Sequence, residues 1–462
     1  MLSSSKAIIK HRKSRVFDPG FFHKRAKGGR TFRFEDAFIK IRKAAPHMVK
    51  RVSAFLLAFI LLLLSGCQTV ETPQEDSSAS SGITVATRDG GTAFDPDAPE
   101  GEKYRNLDFE AEGDKLYAMV VADFWDGTLG KAYEYLDDKS QTAFVWPYGS
   151  FLQMQNAYLT LHPEDSEAAD RYKAALAALD TRYMYIRTDG LLSYSSSYDK
   201  VGGDVYYDDN AWLALEFCDA YDRFGDPAYL EKAKGLAEYL YSGWDTEIGG
   251  GIWWKEGLKE DKDGFTNSPA AMLSVWLYEK TGEAAYLDWA KKIYAWVREY
   301  LRTENGLIAD SIDTAFAVNR TFFTYTTGTA ISAAAMLYGA TGEQAYLDDA
   351  VESAAASFDG FGLFDEEEGA YVFGVDFPNW HGRLLDGFMR LYPYAQREAE
   401  RGLLMFEYAL GRACLRARYA NGYFIVDWNS THSGKKIDLL HQAGTARCLL
   451  NIQNFKNKIR EE

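Results

Sequence analysis

The chain has 462 residues, 47% of them hydrophobic and 26% charged, which supports a large core and excludes general disorder. Lys and Arg number 51 against 67 Asp and Glu, a formal charge of −16 that argues against nucleic-acid binding through clustered positive charge. Four Cys rule out a disulfide scaffold, and seven His leave little for a histidine-rich metal site.

Positive charge gathers at the start. Residues 1–51 hold fifteen Lys and Arg against Asp18, Glu35 and Asp36, so the remainder is more acidic than the total. An apolar run, Val52 to Leu64, follows and closes on Leu64-Ser65-Gly66-Cys67. At about 1.5 Å rise per residue it spans roughly 20 Å, short of a bilayer core of about 30 Å. With Lys50-Arg51 before it and small residues after, it reads as a secretory leader over 48–67. The ending resembles the bacterial lipobox, which implies lipidation of Cys67 and a cell-envelope address, anchored to the membrane. Residues 1–47 are then either an upstream over-extension of the reading frame or a basic cytoplasmic tail. Residues 68–104, rich in Ser, Thr, Asp, Glu and Pro, read as a flexible linker. Without Cys67, the trio Cys218, Cys414 and Cys448 suggests buried unpaired thiols.

The folded domain is expected over 105–455, and internal repeats define it. Gly225-Asp226-Pro227-Ala228-Tyr229-Leu230, Gly282-Glu283-Ala284-Ala285-Tyr286-Leu287 and Gly342-Glu343-Gln344-Ala345-Tyr346-Leu347 share one phrase. In each, Gly stops one helix and an acid or Pro opens the next, so each unit is a helix hairpin. A Gly-plus-aromatic loop closes every unit, as at Gly190-Leu191, Gly250-Gly251-Ile252-Trp253-Trp254, Gly306-Leu307, Gly360-Phe361 and Gly422-Tyr423. The following helices are expected near Trp146, Asp208, Asn267, Thr326, Asp386 and His441. Six such hairpins predict an all-α fold, an (α/α)6 barrel with short strand pairs in the loops. All six loops then share one rim, where the inner helices direct their N-termini.

One string on that rim carries chemistry. Tyr206-Tyr207-Asp208-Asp209-Asn210-Ala211-Trp212 places adjacent carboxylates at a helix start. Two such groups ionise together only at a cost, so one is expected protonated and the other charged. Glycoside hydrolysis requires that division between a nucleophile and a proton donor. The bland alternative is helix capping. Trp253 and Trp254 offer flat faces for sugars or fill the barrel. Asn267 either bonds a hydroxyl or caps its helix, and Tyr207 and Tyr325 either line the cup or serve the core. His381 and His441 read as satisfied polar groups, and Trp212 as packing.

Tyr-Asp-Asp-Asn-Ala-Trp, the Gly-Gly-Ile-Trp-Trp loop and the Asn267-Ser268-Pro269 helix start resemble, in that order, glycoside hydrolase family 76. The resemblance covers about 105–452 and implies an (α/α)6 endo-α-1,6-mannanase or related transglycosidase that retains stereochemistry. It implies Asp208 as nucleophile and Asp209 as general acid/base; Tyr207, Trp253, Trp254, Asn267 and Tyr325 are the candidate substrate-binding residues beside them. Asp261-Lys262-Asp263-Gly264 has part of a calcium-loop rhythm, but Lys259 stands at the first ligand position and Ala270 at the twelfth, so no metal and no cofactor are expected and turnover should survive chelation. The chain departs from the family's Tyr-Asn-Gln-Gly at Tyr325-Thr326-Thr327-Gly328, which bears on substrate specificity. Two other readings stand beside it: a non-catalytic surface lipoprotein that binds glycan, and an unsaturated-uronide hydrolase on the same barrel. The acidic balance argues against the anionic substrate of the second.

Overall fold

The computed structural model describes residues 102–461 apart from 201–202, 366–369, 374–376 and 432–433. The leader, Cys67 and residues 68–101 of the linker expected over 68–104 lie outside the described residues; its last three residues instead belong to a short helix, Glu102–Arg105, on which Tyr104 is fully buried. Alternating along the chain are helices α1 (Phe109–Phe124), α2 (Val145–Leu161), α3 (Ser166–Arg182), α4 (Tyr207–Phe224), α5 (Pro227–Ser242) and α6 (Gly264–Thr281). The second half repeats them as α7 (Ala284–Tyr300), α8 (Thr324–Thr341), α9 (Gln344–Phe361), α10 (Pro378–Leu391), α11 (Gln396–Arg416) and α12 (Leu439–Glu461).

The repeated phrase works as its residues demand. Gly225, Gly282 and Gly342 adopt φ of 67°, 73° and 70°, a left-handed turn that costs a side-chain-bearing residue dearly. Each donates its N–H to the Tyr carbonyl four residues back, at 2.7–2.8 Å. At the first of these turns the Asp226 carboxylate accepts the Ala228 N–H at 2.9 Å, with Pro227 opening α5. The chain therefore reverses tightly, and α4 returns as α5.

The even-numbered helices form a closed inner ring, each packed on the next and α12 back on α2. They are apolar on nearly every side; α8 buries residues from Ala330 to Leu337 almost without interruption. The odd-numbered helices pack outside them. Helix α1 lies against α12, so one hairpin of the six joins the two ends of the domain. The architecture is the (α/α)6 barrel.

Short antiparallel strands fill the loops that lead into the inner helices. They are β1–β3 (Trp125–Asp126, Lys131–Tyr135, Asp138–Thr142), β4–β5 (Met184–Ile186, Leu192–Tyr194) and β10–β11 (Gly362–Asp365, Ala370–Phe373). Strands β6–β9 (Trp253–Lys255, Leu258–Asp263, Ala309–Asp313, Val318–Phe322) join two successive loops into one four-stranded sheet. All lie on the rim where the inner helices begin. One expected boundary is wrong: the fifth inner helix starts at Pro378, not near Asp386, because Pro378 supplies the favoured first residue. Gly360 and Phe361 likewise end α9 and do not form a loop.

Candidate active site

Asp208 and Asp209 are the second and third residues of α4, whose N-cap is Tyr206 without a side-chain bond. The pair therefore stands in the first turn and does not cap it. Both carboxyls are half-buried at the rim, neither sealed in the core nor free in solvent. The amides of Asp208 and Asp209 and the indole N–H of Trp254 lie around the Asp208 carboxylate and favour its charged form. First-turn amides are without helical partners and are free to do this. Crowding nevertheless pushes the Asp208 carboxyl up to about 7, burial outweighing those three donors. Asp209 is raised further, by burial first and then by the charge of Asp208. As pH rises, Asp208 is the one equipped to hold the charge, while Asp209 keeps its proton. Oδ1 of Asp208 is buried with no hydrogen-bond partner.

A third carboxyl lies close by. Asp263 caps α6, accepting the Thr266 N–H at 2.6 Å, while its Oδ2 has no partner. Burial and the charge of Asp208 raise it well above the usual carboxylate range.

Aromatic rings complete the mouth. Trp254 packs on Tyr206 at 5.1 Å between ring centres, beside the pair. From α6 round to α2 runs an arc: Phe265 to Tyr325 at 5.3 Å, Tyr325 to Trp380 at 4.8 Å, and Trp380 to Trp146 at 6.3 Å. All four rings are partly exposed. They occupy second or third positions of their helices, as the two aspartates do on α4. The acids thus face an aromatic horseshoe suited to apolar sugar faces. The residue pattern missed Tyr206 and Phe265 here, although their positions relative to the helix starts would have found them.

Three expected contacts are corrected. Tyr207 is 5% exposed and stacks outward on Tyr239 of α5 at 4.8 Å, because the next residue in a helix turns by about 100°. Trp253 is buried; its indole donates to Asp245 at 2.7 Å, and Lys262 lies over its ring at 4.4 Å. Strand alternation sends Trp253 one way and Trp254 the other. Asn267 is fully buried and neither binds a hydroxyl nor caps α6. It accepts the Ile252 N–H at 2.8 Å and donates to the carbonyls of Ile252 and Asp263. Asn210, Thr327 and Gln442 hold the same fourth position of their helices and bind the rim backbone at Tyr194, Ile308 and Phe424. Thr326 and Thr327 are both 0% exposed, so the departure from Asn-Gln alters loop packing and not the lining of the cup.

The histidines are structural in their contacts. His381 is buried on Phe373, with burial pushing it down to about 3, and His441 bonds Asp438 at 2.6 Å. Cys218, Cys414 and Cys448 are free thiols. A recess of about 280 Å³ lies behind the β6–β7 hairpin, lined by Tyr207, Trp244, Asp245, Trp253 and Lys255, and neither aspartate borders it. Glu110, Asp114 and His162 bring metal-capable atoms within 4.8 Å of one another. They gather where α2 ends, remote from the rim.

Comparison with known proteins places these features in context. The chain matches the model of glycosyl hydrolase family 76 over residues 110–443. It is 27% identical over 128 residues to mannan endo-1,6-alpha-mannosidase DCW1 of Candida glabrata, covering 25% of this chain and 28% of that protein. The chain spans about a third or less of the length of the curated relatives it matches. A family 76 alpha-mannanase structure from Bacteroides thetaiotaomicron superposes with TM-score 0.69 at 26% identity, covering 78% of this chain and 99% of its own. The alpha-1,6-mannanase of Salegentibacter sp. HEL1_6 gives TM-score 0.65 at 25% identity, covering 75% and 100%. That mannanase is also known as an inactive variant, with two successive aspartates changed to asparagine, in complex with alpha-1,6-mannotriose.

Proposed function

The chain belongs to glycosyl hydrolase family 76, and from that premise we propose that it is a retaining glycosidase cleaving within α-1,6-linked mannose polymers. The observation that carries this reading is the adjacent pair in the first turn of α4 at the rim: the N–H groups around Asp208 favour its charge, whereas burial and that charge favour the protonated form of Asp209.

The steps follow from that division. Asp208 attacks the anomeric carbon, forming a glycosyl ester as the bond to the leaving oxygen breaks. Asp209 gives that oxygen its proton. Water then enters; Asp209, now ionised, takes a proton from it, and the resulting attack on the anomeric carbon releases Asp208. Two inversions give net retention. The aromatic arc supports the sugar chain, and the half-buried setting strengthens the electrostatics on which proton transfer depends. The Salegentibacter mannanase, inactive when two successive aspartates are replaced together, supports an adjacent aspartate pair as the catalytic centre.

Cys67 is proposed as the lipid attachment point of a bacterial envelope protein. Replacing it by Ala is expected to move the protein from the membrane to the soluble fraction; unchanged fractionation contradicts the anchor.

Release of reducing ends from linear α-1,6-mannan tests the activity. The wild-type chain should release them, and D208N should not while still binding mannotriose. A wild type that binds but never cleaves supports the glycan-binding lipoprotein instead.

A further inference from the structure

Helices α4 and α10 stand three places apart in the six-membered ring, on opposite sides of the barrel axis. Trp212 lies three and four residues beyond the aspartates, one turn deeper on the same face of α4. Arg383 comes from the second turn of α10. The two side chains meet, the guanidinium 4.2 Å from the centre of the indole. A contact between opposite helices closes the axis, so Trp212 and Arg383 are the floor of the cup whose wall carries the aspartates.

The guanidinium is held from below. Its Nη1 donates to Asp386 at 3.3 Å, and Nη2 lies 3.9 Å from Glu216, which is 1% exposed. Arg447, also beneath, is 5% exposed and has an Nη1 sealed without a partner. Arg383 differs from it. Five N–H donors are available, one is used at 3.3 Å among the described residues, and no Arg383 nitrogen is sealed from solvent without a partner. Arg383 is 9% exposed, and with buried groups below it that residual exposure leaves its remaining donors toward the cup. Among the described residues Arg383 makes no ion pair with Asp208 or Asp209, its acidic neighbours being Glu216 and Asp386. About one helical turn, roughly 5.4 Å, separates the two levels, a layer in which one sugar ring can lie.

We propose that Arg383, laid flat on Trp212, is a substrate-binding residue that donates its planar N–H fork to neighbouring hydroxyl oxygens of the sugar unit held beneath the aspartates. The assignment rests on the mannanase reading above. A neutral hexose with adjacent hydroxyls offers acceptors at the spacing such a fork bridges, and stacking fixes the plane of the fork. Asp386 and Glu216 keep the group oriented and do not consume the upper donors.

The test uses the full chain carrying D208N, which is expected to bind without turnover. Calorimetric titration with α-1,6-mannotriose is compared between this parent and the parent carrying R383K, which keeps a cation for Asp386. The second variant should melt within a few degrees of the first and bind about tenfold more weakly, as the loss of charge-assisted hydrogen bonds requires. A crystal structure of the parent with mannotriose, independent of any change at Arg383, should place the guanidinium within about 3.2 Å of sugar hydroxyl oxygens. Equal affinity of the two proteins, or a bound sugar that does not touch Arg383, overturns this inference alone. A parent that binds no mannotriose overturns the mannanase reading and the role of Arg383 with it.

Discussion

The indole of Trp254, carried on the β6–β7 hairpin, lies beside the carboxylate of Asp208 in the first turn of α4 and favours its charged form. Sequence neighbours Trp253 and Trp254 thereby serve different ends, one holding the hairpin together through Asp245 and the other reaching the reactive carboxyl. Replacing Trp254 by Phe keeps a ring and removes the donor. Asp208 then ionises less readily, so the acid limb of kcat/KM should move to higher pH and activity fall about tenfold. A pH–rate profile measures both changes.

The pH dependence of the wild type follows from the same pair. Activity needs Asp208 charged and Asp209 protonated, and the two titrate as a coupled unit. With Asp208 raised to about 7 by burial, kcat/KM should climb toward neutrality, well above the usual carboxylate range. It should fall again at higher pH as Asp209 loses its proton. An acid limb near pH 4 contradicts the arrangement.

Stability should move opposite to activity. A carboxyl raised in the folded state binds its proton more tightly there than in the unfolded chain. Its stabilising contribution is complete below the unfolded value near 4 and is lost as pH rises through about 7. Asp208→Asn removes that loss. At pH 8 the variant should melt about 2–5 °C above the wild type, with a smaller difference at pH 5. Calorimetric melting at the two pH values provides the comparison.

Asn267 is a support for the rim and should behave as one. Truncation to Ala leaves the Ile252 amide and the carbonyls of Ile252 and Asp263 unpaired in the interior, at a cost of about 2–4 kcal/mol. Denaturant unfolding should show that loss, while mannotriose affinity of the folded fraction stays within about twofold of wild type. A large affinity loss at unchanged stability would restore the sugar-contact reading.

Much of this molecule is written locally. Gly225, Gly282 and Gly342 announce their turns because each ends an inner helix in a left-handed conformation that glycine adopts without strain. Asp208 and Asp209 are visible because two adjacent carboxyls ionise together only at a cost. Sidedness was harder to read. Which of Trp253 and Trp254 faces the cup depends on the register of β6 against β7, and the outward turn of Tyr207 depends on where α4 begins. The Arg383–Trp212 floor depends on ring closure, which joins residues 171 positions apart and leaves no local trace. Helix α10 starts at Pro378 and not near Asp386, because the Gly-aromatic phrase at Gly360-Phe361 ends α9 and leaves Pro378 to open the inner helix.

The division of labour between the two aspartates can be read with an α-mannosyl substrate bearing a dinitrophenolate leaving group, which departs without a proton. The D209N protein should release a burst of dinitrophenolate equal to the enzyme present and then stall, whereas the D208N protein should release none. A burst from D208N, or silence from both beside an active wild type, contradicts the roles assigned to the pair.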